Sequence, residues 1–157
     1  MECIVSYPAR VLSVINIGFG CVARDWMGNF LGAKCSFQRI TVDPKIVETM
    51  SALHAINFGI VGGWSDVVFE GDSLQAVRDL TKPPPHLQRN GHFVEAVQQL
   101  LGSLRSSTIV HCPREENGVA HCLAKEGAVK CCNVVWFEDP PPLIYNLLVR
   151  ECVVPKP

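Results

Sequence analysis

A proline-led segment bracketed by its own start and stop signals limits the architectures open to this chain. Asp43-Pro44 supplies a helix-capping side chain and a proline at the first helical position, and Gly62-Gly63 ends the segment near Val61. Between them Ile46, Val47, Met50, Leu53, Ile56, Phe58 and Ile60 wrap most of the helix circumference. A helix of that kind is covered on more than one side, so it belongs inside a layered domain. Glu48, Ala52, Ala55 and Gly59, spaced i, i+4, i+7 and i+11, form a second file on one face. Small residues there let the helix lie close to a sheet. A carboxylate on such a face is expensive unless compensated. Read in isolation, Glu48 would reach solvent at the helix start, where the dipole suits it.

Strand signals flank this helix. Phe19 to Asp25, the turn Trp26-Met27-Gly28-Asn29 and Phe30 to Ile40 read as an antiparallel hairpin. The β-branched run Val11 to Ile17 is the expected first strand. Asp66 to Glu70 is a short apolar strand, followed by Gly71-Asp72-Ser73 and a short helix marked by Leu74, Val77 and Leu80. Asp72 thus sits where a strand gives way to a helix, a ligand-binding position in α/β sheets and also an ordinary capping position. Lys82-Pro83-Pro84-Pro85-His86 is a stiff loop. A helix over Phe93 to Leu104, a strand over Ser107 to Cys112, and a helix over Asn117 to Lys130 with small residues Ala120, Ala124 and Gly127 complete the pattern. The tail, with Trp136-Phe137, Pro140 to Pro142 and the apolar run Leu143 to Val149, reads as an appendage packed by its aromatics. The order predicts an α/β domain, a mixed sheet with an antiparallel hairpin and helices packed on it.

The chain has 157 residues, enough for one domain, with 48% hydrophobic and 18% charged residues against a typical ~25% charged, which excludes a disordered chain. The net charge of −1 provides no global basic field, so any nucleic-acid binding must rest on a local site. The 8 cysteines include no C-x-x-C pair and point to reduced, core-type thiols in an intracellular protein. His111-Cys112, His121-Cys122 and Cys131-Cys132 recur about every ten residues, whereas zinc requires ligands at turn spacing, so core roles are favoured. Arg10 before Val11 to Ile15, with Cys21-Val22-Ala23 beyond, imitates a secretory leader. Glu2, Pro8 and a cleavage point inside a good strand argue against it. No run approaches the ~18 apolar residues of a membrane span.

Four segments resemble the ribonuclease H-like domain found in plants, related to the reverse-transcriptase-associated ribonuclease H of retroelements. They are Gly18 to Asn29 (second strand and hairpin turn), Val47-Glu48-Thr49-Met50-Ser51-Ala52-Leu53 (first helix), Phe69-Glu70-Gly71-Asp72-Ser73 (strand end) and His111 to Lys125 (last strand, turn and helix). The resemblance divides the chain into a divergent or truncated first strand at 1–17, a ribonuclease H-like domain at 18–132 and a C-terminal extension at 133–157. It implies a metal-dependent endonuclease that cuts the RNA strand of RNA–DNA hybrids with two Mg²⁺ ions held ~3.5–4 Å apart by carboxylates. Glu48, Asp72 and His121 fall on its catalytic positions, with Glu48, Asp72 and Glu70 as expected metal ligands. Lys82, Arg89, Arg114 and Lys125 are candidate contacts to a nucleic-acid backbone, although each also fits solvated surface charge.

One departure stands out. The family pattern places a carboxylate on the first strand, but Glu2 is the only acid before Asp25, and Val11 to Ile17 offers only Ser13 and Asn16. His121 stands where many relatives have Asp; His is a poorer Mg²⁺ ligand but can carry a proton. No dense basic helix stands between Pro85 and His92, where some relatives grip substrate. The expectation is a monomeric, non-membrane, cytoplasmic or nuclear domain that binds hybrid or other nucleic acid and cleaves it weakly or not at all. The alternative is a non-catalytic nucleic-acid or protein interaction module derived from a retroelement.

Overall fold

Asp25 builds the hairpin turn. Its Oδ1 accepts the backbone N–H groups of Met27 and Asn29, both at 2.9 Å, and Gly28 supplies the left-handed residue at φ 85°. The computed structural model describes residues 2–5, 15–40, 43–84 and 90–152. Around this turn β2 (Ile15–Arg24) pairs antiparallel with β3 (Phe30–Ile40). Alternation then sorts β2 cleanly. Ile17, Phe19, Cys21 and Ala23 join the core beneath the first helices, while Val22 joins the core on the opposite face.

The first helix, α1 (Pro44–Val61), begins and ends as its bracketing residues require. Asp43 caps it by accepting from the Lys45 amide at 2.9 Å, and Gly62 closes it. Next come β4 (Asp66–Gly71), α2 (Leu74–Thr81), α3 (Gly91–Leu101), β5 (Ser106–His111) and α4 (Gly118–Lys130). A single 3-10 turn, Arg114–Glu116, joins β5 to α4.

The first strand is not the β-branched run Val11 to Ile17. It is β1 (Glu2–Val5), which pairs antiparallel with β2 and parallel with β4. Of the expected run, Ile15 to Ile17 opens β2 and residues 11–14 lie outside the described residues. The position taken by β1 is set by its two neighbours in the sheet, which outweighs local β propensity.

The tail also differs from a simple appendage. Val134–Phe137 forms β6 on the edge of β3, and Tyr145–Cys152 forms α5. The sheet order is β5-β4-β1-β2-β3-β6. Helices α1, α2 and α3 cover one face through Ile56, Phe58, Leu80, Val94 and Val97, and Phe137 of β6 stacks on Phe58 with ring centroids 6.1 Å apart. The other face carries α4 and α5.

The small residues of α4 earn their place by contact distance. A Cβ added at Gly20 of β2 would lie 2.0 Å from the Ala120 carbonyl oxygen, and one at Gly127 of α4 would lie 2.5 Å from that of Ser36. The helix therefore rides directly on the sheet backbone. Asn117, at the entry to α4, is buried, and so are Ala120 and Ala124.

Candidate functional site

The file Glu48, Ala52 and Ala55 on α1 faces β4 and α2 across a narrow cleft. Phe69, Glu70 and Gly71 of β4 and Ala76, Val77 and Leu80 of α2 form its other walls. The small α1 residues allow this approach, and the approach buries Glu48. Burial, and then the nearby charge of Asp72, pushes the Glu48 carboxyl up to about 7 from its usual 4.5, partly offset by Arg114. Glu48 is thus half-buried, against the reading of an exposed helix start.

Asp72 follows β4 and precedes α2. It is not the cap of that helix: Ser73 takes the role, its Oγ accepting the Ala76 amide at 3.2 Å. The Asp72 carboxylate is thereby left to act electrostatically on Glu48. The connection that carries Arg114 is held against the same corner, since the Cys112 amide donates to the Gly71 carbonyl at 3.0 Å. Glu48, Asp72 and Arg114 therefore converge from α1, the β4–α2 junction and the β5–α4 turn.

The other expected positions fare differently. Glu70 is buried on β4 and lines the cleft beside Glu48. His121 lies half-buried in the first turns of α4, its amide donating to the Asn117 carbonyl at 3.1 Å. Lys82 is tied to Asp79 by an ion pair of 3.0 Å. Lys125 is exposed on α4. Arg89 lies outside the described residues, as does Ser13. Asn16 is on β2, where its Nδ2 donates to the Cys131 sulfur at 2.9 Å, so it is no first-strand ligand.

Two features of the site escaped the sequence. Arg114 is an electrostatic partner of Glu48, a relation with no local signal. Ser51, buried in the cleft wall, has an Oγ without a hydrogen-bond partner among the described residues. Its position one turn of α1 beyond Glu48 is readable, but its lack of a partner is not.

Magnesium calls for several hard oxygen donors. Among the described residues no three His, Cys, Asp or Glu side chains come together as a group able to hold a metal ion. The charge of Asp72 disfavours the ionised form of Glu48, as a neighbouring carboxylate does where no cation is held between the two. Among the described residues, the donor set does not fit a pair of metal ions.

A family model described as reverse transcriptase-like matches residues 13–127. The chain belongs to the reverse transcriptase-like family. The match takes in Glu48, Asp72 and His121 together. Among curated proteins none matches the sequence. Solved structures do match the reverse transcriptase-like chain in fold. RNase H1 from the halophilic archaeon Halobacterium salinarum has a TM-score of 0.72 at 18% identity, over 83% of this chain and 98% of that one. LC11-RNase H1, solved in complex with an RNA/DNA hybrid, has a TM-score of 0.67 at 21% identity, over 83% of this chain and 97% of that one. The N-terminal RNase H domain of rv2228c from Mycobacterium tuberculosis has a TM-score of 0.67 at 15% identity, over 82% and 94%. The fold of this chain is that of the RNase H structures. No helix among the described residues is long and apolar enough to cross a membrane.

Proposed function

We propose that this chain is a nucleic-acid-binding domain of the RNase H type whose cleavage of RNA–DNA hybrids is impaired. The observation that carries the reading is the action of Asp72 on Glu48, taken together with a sequence that has no acid between Glu2 and Asp25. The sequence has no Asp or Glu from residue 3 to residue 24, and β1 runs beside the strand that leads into Asp72. Loss of a bridging carboxylate removes most of a two-metal effect, which is worth several kcal/mol of transition-state stabilisation.

In this proposal Glu48 and Asp72 are the remaining catalytic-site carboxylates, Glu70 stands behind them and His121 is a proton carrier. Any magnesium is held weakly. Backbone contacts come from Arg114 and Lys125, with Arg89 and Lys82 as further candidates, and the domain acts as a monomer inside the cell. The plant and retroelement kinship is part of the same proposal and rests on the four motif segments.

Fluorescence anisotropy with a labelled RNA–DNA hybrid tests the binding half. The expected result is an affinity that falls steeply as salt rises, with the hybrid recovered uncut. Absence of binding at low salt would overturn the nucleic-acid reading and leave a protein interaction module.

A further inference from the structure

Away from the acidic cleft, two sulfurs approach each other on the opposite face of the sheet. Cys35 is fully buried on β3, where it pairs in register with Val134 of β6. Cys132 lies in the short connection from α4 to β6, half-buried and packed against the cluster that contains Cys35. Their Sγ atoms are 3.6 Å apart. A disulfide requires about 2.05 Å, so the sulfurs have about 1.5 Å left to close. Cys131 beside them is exposed. Its sulfur accepts from Asn16 and faces the Ala128 carbonyl at 3.7 Å, so it is engaged elsewhere.

We propose that Cys35 and Cys132 form a reversible intramolecular disulfide when the chain meets hydrogen peroxide. Cys132 is the more accessible sulfur and reacts first. The peroxide O–O bond breaks, Cys132 becomes a sulfenic acid, and one water leaves. The Cys35 sulfur then attacks Cys132, the S–O bond breaks, and the hydroxyl departs with the Cys35 proton as a second water. Two thiols are oxidised and one peroxide is reduced to two waters. Burial, and then the contact with Cys132, pushes the Cys35 thiol up to about 12, so it is a poor first target and a slow second one.

The bridge would staple β3 to the end of α4. The loop it closes contains Glu48, Asp72 and His121, so oxidation would tighten the body that carries the cleft.

The test is hydrogen peroxide treatment of the full chain, alkylation of the remaining thiols, and mass mapping of an unreduced digest. The expected product is a monomer whose Cys35 and Cys132 peptides are joined. Its thermal midpoint should rise by several degrees and return with dithiothreitol. The cross-link should persist in Cys131→Ser and vanish in Cys132→Ser. A bridge through Cys131 in its place, a cross-linked dimer without the Cys35–Cys132 pair, or Cys132 oxidised to sulfinic acid while Cys35 stays a thiol would each overturn the proposal.

Discussion

Burial in the cleft, and then the charge of Asp72 beyond the end of β4, raises the proton affinity of Glu48 on α1. The two carboxylates are 24 residues apart in the chain, and Ala52 and Ala55 let α1 close on β4 so that the charge of one reaches the other. A half-buried acid beside another acid stores unfavourable energy in the folded state.

Glu48→Gln should therefore stabilise the metal-free protein. The folded pKa of about 7 lies above the usual 4.5, so the penalty is absent below pH 4.5 and complete once pH passes 7. At about 1.4 kcal/mol per pKa unit the whole displacement would be worth roughly 3 kcal/mol, and partial solvent contact reduces it to on the order of 1 to 2 kcal/mol. Urea unfolding at pH 8 in chelator measures it. A loss of stability in the variant would contradict the strained pair.

His54 gives a pH effect of opposite sign. Its ring stacks on Phe19 with centroids 4.1 Å apart, and its Nδ1 lies 3.3 Å from the Ser36 Oγ. Burial, assisted by Lys34, pushes its pKa down to about 4 from 6.5. Stability from the neutral ring is complete above pH 6.5 and is lost as pH falls toward 4. His54→Gln should flatten that acid limb; about 1.4 kcal/mol per unit gives roughly 3.5 kcal/mol, and partial solvent contact reduces it to on the order of 2 kcal/mol. In the unaltered protein Glu48 and His54 oppose each other between these limits, so the single variants will show slopes that the parent hides. Equilibrium unfolding from pH 4 to 8 gives all three curves.

Arg24 and Glu151 form the other long-range relation. They pair at 2.6 Å with side chains only 7% and 11% exposed, and the second Glu151 oxygen accepts the Val119 amide at the start of α4, at 2.8 Å. Asn117 makes no side-chain cap there, so α5 supplies the acceptor. Glu151→Ala leaves a buried guanidinium and should cost roughly 3–5 kcal/mol. Arg24→Met combined with Glu151→Leu should recover most of that loss in a double-mutant cycle.

The fold was largely legible where signals are local. Asp43-Pro44 and Gly62-Gly63 mark α1, and Trp26 to Asn29 marks the hairpin turn, because capping and turn geometry depend on adjacent residues. The first strand was misplaced because Val11 to Ile15 has the stronger β propensity, whereas Glu2–Val5 is held by β2 and β4. The short strand β6 was hidden beside the prolines. In the site, Glu48 and Asp72 could be named from their motifs, but Ser73 as the cap of α2, Arg114 beside Glu48 and the pair Arg24–Glu151 arise only on folding. The match to the reverse transcriptase-like family supports the general resemblance and the RNase H fold.

The parallel pairing of β1 with β4 ends at Val5 opposite Gly71. In the chain Val5 is followed by Ser6, and Gly71 by Asp72. Ser6→Asp adds a carboxylate at the residue that follows Val5 in the chain. If a missing acid limits the site, this variant should gain Mg²⁺-dependent cutting of RNA–DNA hybrid that Asp72→Asn then abolishes. Gel analysis of labelled hybrid measures both.

The decisive measurement is that same gel assay on the unaltered chain, with labelled RNA–DNA hybrid and excess Mg²⁺. A site without the first-strand carboxylate should leave the RNA strand intact or cut it only barely above the protein-free control. Robust Mg²⁺-dependent cutting that disappears in Asp72→Asn would show the site to be complete, and would contradict the proposed impairment.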